Sequence, residues 1–114
     1  MTALITRDEL KTRLDAGDAV TIVEALPEEY FRKAHLPGAL VLPHDRVDEL
    51  APTLLPDKGA TIVVYCANLA CSNSTIAAER LQELGYSAVL EYAEGKQGWL
   101  DAGYSVESSL AAAA

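Results

Sequence analysis

The run Thr61-Ile62-Val63-Val64-Tyr65-Cys66-Ala67-Asn68-Leu69-Ala70-Cys71-Ser72-Asn73-Ser74 decides how this chain folds. Its first five residues are β-branched or apolar without alternation, the pattern of a central parallel strand covered on both faces. Small and polar residues then make a short loop. From Asn73 to Leu84 the spacing predicts a helix, with Ile76, Ala77, Leu81 and Leu84 as its apolar stripe and Glu79, Gln82 and Glu83 opposite. Cys66 therefore falls at the carboxyl end of a strand and at the mouth of a helix. Open α/β sheets bind ligands in that crevice. The unpaired amides and partial positive charge of a helix start favour a thiolate over a thiol, which predicts a lowered pKa for Cys66, and they also favour a bound anion. The bland alternative is that Cys66 is a small buried hydrophobe.

The pattern continues on both sides. Thr6-Arg7-Asp8-Glu9 is a capping box, flanked by Ile5 and Leu10 at staple positions, and starts a helix over 7–16. Residues 19–25 read as a strand, and Pro27-Glu28-Glu29 opens a short helix. His35-Leu36-Pro37-Gly38-Ala39 is a turn, with His35 as its stabilising residue; a brief strand over 40–42 and a short helix over 45–50 follow. A polar connection is expected over 52–59, a last strand over 88–92 and a last helix over 98–102, with Trp99 in the core. Strands alternating with helices argue an α/β fold on a parallel sheet. The expectation is one domain over 1–108, with 109–114 as a trailing tail.

Composition narrows the function classes. The 114 residues carry a formal net charge of −8 and no basic cluster, which argues against nucleic acid and anionic membranes as partners. Residues 1–10 lack an apolar signal core, and no apolar run approaches membrane-spanning length, so a soluble cytoplasmic protein is expected. The two cysteines, Cys66 and Cys71, have no second pair at metal-finger spacing, and His35 and His44 are distant in sequence, so no metal is expected. A curled loop can bring the two sulfurs within disulfide reach, which requires Cα atoms about 4.4–6.8 Å apart. Cys71 then resolves an oxidised or sulfurated Cys66, or else it simply packs beneath the loop. Ser72, Asn73 and Ser74 are N-cap candidates, with Ser72 as the expected extra donor to an anion on Cys66. Asn68 suits a tight turn. The candidate site is thus Cys66 as nucleophile and Ala67, Asn68, Leu69, Ala70, Cys71 and Ser72 as its anion-binding loop.

Four stretches in order carry a family resemblance: Pro27-Glu28-Glu29-Tyr30, then His35-Leu36-Pro37-Gly38-Ala39, then Val63-Val64-Tyr65-Cys66 with its loop to Ser72, and finally Glu94-Gly95-Lys96-Gln97-Gly98-Trp99 with Ala102-Gly103-Tyr104. From about Thr6 to Glu107 the chain resembles a single-domain rhodanese, a sulfurtransferase. The resemblance implies a five-stranded, mostly parallel sheet with helices on both sides. It also implies a ping-pong reaction without a cofactor. The Cys66 thiolate takes a sulfane sulfur from thiosulfate or a persulfide, then passes it to cyanide, a thiol or a sulfur-carrier protein. The chain departs from the pattern twice. Where the family usually has Asp-x-Arg it reads Glu24-Ala25-Leu26, and where many members have an arginine five residues after the cysteine it has Cys71. Two alternatives follow, a non-catalytic rhodanese-like binding module and a Cys66/Cys71 thiol-disulfide switch. A phosphatase reading fails because Ser72 stands where that loop needs an arginine fork.

Overall fold

The computed structural model describes residues 2–108. The expected tail, 109–114, lies outside the described residues. Among the described residues the elements run β1 (Ala3–Leu4), α1 (Arg7–Asp15), β2 (Val20–Glu24), α2 (Glu28–Lys33), β3 (Leu40–Val41), α3 (Val47–Leu54), β4 (Thr61–Tyr65), α4 (Asn73–Glu83), β5 (Ala88–Tyr92) and α5 (Gly95–Asp101). The strands form one sheet in the order β1-β5-β4-β2-β3, and every pairing between them is parallel. An isolated antiparallel bridge joins His35 to Glu107 outside the sheet.

This order creates the crevice. From β2 the chain moves to β3 on one side, whereas from β4 it moves to β5 on the other. The loops that leave β2 and β4 diverge, and ligand sites of open α/β sheets lie where such loops part. Tyr65 at the end of β4 is in register with Glu24 of β2 and Tyr92 of β5. Cys66 is the next residue.

The apolar run of β4 serves two cores. Ile62 and Val64 face a cluster with Val47 and Ala51 of α3 and Ala77, Ala78 and Leu81 of α4. Val63 and Tyr65 face the other cluster, with Leu10 of α1 and Trp99 of α5. A strand buried on both faces has no polar face to alternate, which is why it reads as continuous.

One strand was not foreseen, and three local expectations are corrected. Residues 3–4 form a strand too short to show a pattern, held at the edge by β5. The third helix starts at Val47 rather than Asp45 and runs through Pro52 to Leu54. Packing of Val47 and Ala51 into the core, and the Tyr86 hydroxyl bonded to Ala51 O, outweigh the proline. The last helix starts three residues early, at Gly95, because loop carbonyls cap it. On α4, Ile76 is 46% exposed and outside the stripe, while Ser74 is buried. Ala77, Ala78 and Leu81 carry that face instead.

Leu81 fills the core between α4 and the sheet. Leu81→Ala is expected to lower unfolding free energy by about 2–5 kcal/mol in urea titrations, whereas Ile76→Ala on the exposed side changes it by less than about 0.5 kcal/mol.

Candidate active site

Every predicted site residue lies on the turn between β4 and α4. Cys66 is only 1% exposed. Ala67 and Cys71 are half-buried, and Asn68, Leu69, Ala70 and Ser72 are exposed. Asn68 forms the tight turn expected of it. Its carbonyl accepts from the Cys71 amide at 3.2 Å and its Oδ1 from the Ala70 amide at 3.0 Å. Those two amides are thereby spent inside the loop. The amides that face sulfur are those of Ala67, Asn73 and Ser74 at Cys71, and that of Ser74 at Cys66.

The loop is fastened from the far side by α5. Lys96 N donates to Cys66 O at 2.9 Å, and Gln97 N to Ala67 O at 2.8 Å. Free carbonyls of the loop and free amides of the helix start satisfy each other. Gly95 makes this approach possible. Its φ is +71°, and a Cβ there would stand 2.7 Å from Cys66 O. The resemblance motif Glu94-Gly95 thus acquires a physical reason.

Around the sulfur, Cys66 Sγ lies 3.4 Å from Cys71 O and 3.5 Å from Ser74 Oγ, two alternative acceptors for its single hydrogen. The Cys66 and Cys71 thiols are also close enough to influence each other's ionisation. Ser74 Oγ in turn donates to Glu91 Oε2 at 2.8 Å, as does Thr75 Oγ1. The expected donor, Ser72, sits at the N-cap without a side-chain capping bond. The hydroxyl that meets the sulfur belongs to Ser74, two residues further on. Sequence reading missed Glu91 altogether, because only the register of β5 against β4 brings it beneath α4.

A second buried carboxylate flanks the crevice. Glu24 has no exposed surface. It accepts from Tyr65 Oη at 2.6 Å and pairs with Lys96 Nζ at 3.1 Å. Lys96 also donates to Tyr30 O, and Tyr65 Oη accepts from Leu36 N. Burial raises the Glu24 carboxyl, while Tyr65 and Lys96 pull it down. Burial and Glu24 push the Tyr65 phenol far up, so it remains a donor. His35 is structural, as its turn position suggested. It stacks on Phe31, contacts Phe31 O through Nδ1 at 2.8 Å and exchanges backbone bonds with Glu107.

The expected lowering of the Cys66 pKa is not found. Burial pushes the Cys66 thiol up, the neighbouring Cys71 adds to this, and the Ser74 contacts offset only part of it. Burial also opposes ionisation of Cys71, yet its thiol is lowered overall by the Cys66 S–H and by the amides of Asn73, Ala67 and Ser74. The electropositive cradle of the loop therefore favours negative charge on the second cysteine. Among the described residues no group of three or more His, Cys, Asp or Glu is placed to hold a metal ion, and no helix is long and apolar enough to cross a membrane.

The Rhodanese-like domain family matches residues 6–102, and the chain belongs to that family. It is 35% identical over 104 residues to an HTH-type transcriptional regulator from Mycobacterium tuberculosis, covering 90% of this chain and 44% of that protein. It is 41% identical over 64 residues to thiosulfate sulfurtransferase PspE from Escherichia coli, covering 56% of this chain and 59% of that protein. The chain thus spans about half the length of these curated relatives. Among solved structures, a thiosulfate sulfurtransferase from Pseudomonas aeruginosa superposes with a TM-score of 0.83 at 25% identity, over 95% of this chain and 20% of that one.

Two outcomes follow from the site's construction. Alkylation of the wild-type protein across a pH series, read by peptide mapping, should label Cys71 at lower pH than Cys66. Labelling of Cys66 should increase through a midpoint above that of an ordinary cysteine. Gly95→Ala, which places a methyl against Cys66 O in a left-handed backbone, is expected to cost about 1–3 kcal/mol of stability in chemical denaturation and to make Cys66 more accessible to alkylation.

Proposed function

We propose that this domain is a sulfurtransferase in which Cys66 carries the sulfane sulfur as a persulfide. The observation that supports it most is the position of Cys66. It follows the central strand at the point where the sheet's connections diverge, at the start of α4, beneath amides that face sulfur. The Cys66 thiolate attacks the outer sulfur of a donor R–S–SH. The Cys66–sulfur bond forms, the donor's S–S bond breaks, and R–S⁻ leaves. Cyanide, a thiol or a carrier protein's thiolate then takes the outer sulfur and regenerates the Cys66 thiolate. Similarity to a thiosulfate sulfurtransferase supports this class of reaction.

Charge favours a persulfide over thiosulfate as donor. Leu26 and Cys71 occupy the positions where the family's arginines are expected. Nearby cations are committed elsewhere, Lys96 to Glu24 and Arg7 to Asp8 and Glu94. A dianion entering this crevice finds amides but no unpaired guanidinium.

A second use of the pair is favoured by the mutual influence of the two thiols. The Cys71 thiolate attacks Sγ of the Cys66 persulfide. A Cys66–Cys71 disulfide forms and hydrosulfide leaves, the sulfane sulfur acting as oxidant. Similarity to part of a transcriptional regulator fits a sensing role for such a switch.

Intact mass after exposure to a persulfide or to thiosulfate tests both. A gain of one sulfur, about 32 Da, lost in Cys66→Ala, is expected, with the persulfide the better donor. A later loss of two hydrogens relative to the reduced protein, with hydrosulfide release, is expected of the wild type and not of Cys71→Ala. No sulfur gain with either donor would sink the enzyme reading in favour of a binding module.

A further inference from the structure

Glu91 lies on β5, 7% exposed, behind the nucleophile. Its Oε2 accepts from Ser74 Oγ and from Thr75 Oγ1, each at 2.8 Å. The groups around it are these two hydroxyls from α4, Cys66 and Cys71 from the loop beyond Ser74, and the apolar register neighbours Val64 of β4 and Leu4 of β1. Among the described residues no cation pairs with it. Tyr65 and Glu24, the other titratable groups near the crevice, face the opposite side of the sheet or β2 and pair with each other.

A hydroxyl owns one hydrogen. Ser74 gives its hydrogen to a carboxylate at 2.8 Å, so at 3.5 Å it offers Cys66 an acceptor, alternative to Cys71 O at 3.4 Å, rather than a donor. If Cys66 ionises while Glu91 is charged, two anions compete for that single hydrogen. The amino-terminal field of α4 is shared in the same way. Ser74 and Thr75 belong to the first turn of α4, so Glu91 takes a share of the positive end on which a Cys66 thiolate draws.

We propose that Glu91, acting through Ser74, holds Cys66 in its thiol form and makes the site select sulfur donors of low negative charge. The control of charge state stands on geometry alone; the selection of donor rests on the sulfurtransferase reading. With a hydropersulfide the exchange is charge-neutral. Cys66–SH and R–S–SH become Cys66–S–SH and R–SH, the Cys66 proton passing to the sulfur that leaves. With thiosulfate, Cys66–SH and a dianion become Cys66–S–S⁻ and HSO3⁻, and two negative charges must be brought up to a buried carboxylate. Glu91 is a positioning residue for the nucleophile and a discriminator between these donors.

The test is Glu91→Gln, which keeps the shape and removes the charge. The pH profile of Cys66 alkylation by iodoacetamide is measured by peptide mapping, with the melting temperature as a check on folding. The midpoint is expected to fall by about one pH unit, raising labelling about tenfold below it. On a Ser74→Ala background the same substitution should move the midpoint by less than half as much. Thr75→Val leaves Ser74 as the carboxylate's hydroxyl partner and should move the midpoint up. This variant decides the question if Glu91→Gln folds poorly. In mass-based loading assays, the ratio of persulfide to thiosulfate use should fall about tenfold in Glu91→Gln. A midpoint that stays or rises in Glu91→Gln overturns the proposal, and an equal shift with and without Ser74 overturns the route through Ser74. A lowered midpoint with an unchanged donor ratio overturns the selectivity. A lowered midpoint with no sulfur loading by either protein leaves the charge control standing and refutes the sulfurtransferase reading on which selectivity rests.

Discussion

The site depends on how closely α5 approaches the loop after β4. Two helix amides reach the carbonyls of Cys66 and Ala67, and the approach leaves no room for a side chain at position 95. This contact fixes the backbone of Cys66 from a segment some thirty residues later in the chain. It also links the loop to both halves of the core. Trp99, one turn into α5, packs edge-on against Tyr92 and Tyr104, and Lys96 reaches across to Glu24 at the end of β2. The ends of β2, β4 and β5 and the start of α5 are thereby tied into one rigid frame. The amides at the α5 start are consumed in making it. Anion binding is left to the α4 side of the loop.

Electrostatically the frame presents two buried carboxylates, and among the described residues no unpaired cation lies beside the Cys66 sulfur. The two are neutralised differently. Glu24 has an ammonium and a phenol, a paired arrangement that stabilises the frame and projects little field. Glu91 has only hydroxyls and the helix start. Through Ser74 its carboxylate reaches the Cys66 sulfur. Burial and the loop's own sulfur already disfavour the Cys66 thiolate.

Much of this was legible in the sequence, and the limits have physical causes. The β4 run, the capping box at Thr6 and the switch from strand to helix around Cys66 are local patterns, and they fold as read. The four ordered motifs identified the family and the five-stranded sheet. What escaped is set by distance in sequence. Glu91 lies seventeen residues from Ser74, in a strand where it reads as an outward polar residue. Lys96 reads as a surface cation until the tertiary fold brings it to Glu24, seventy-two residues away. Nearness in sequence to Cys66 favours Ser72, but in a helix that begins at Asn73, as read, Ser74 turns inward to the sulfur and Ser72 lies in solvent. Likewise, the helix start next to Cys66 was correctly placed, but its field could not be apportioned without knowing that a carboxylate and a second thiol share it.

That sharing gives the loop a single-occupancy logic. The amides of Ala67, Asn73 and Ser74 converge on the Cys71 sulfur, the place where a family arginine would otherwise bring positive charge. An incoming anion or the outer sulfur of a persulfide needs those same amides. It gains them by displacing Cys71, or it meets Cys71 as a nucleophile already seated beside it. Replacing an arginine by a cysteine at this position therefore does more than subtract a charge. It exchanges a fixed cation, which would hold a dianion indefinitely, for a group that competes with the bound sulfur for the same hydrogen bonds and can attack the bond that carries it. On the sulfurtransferase reading proposed above, a loop so arranged suits brief custody of sulfur rather than tight binding of an anionic donor.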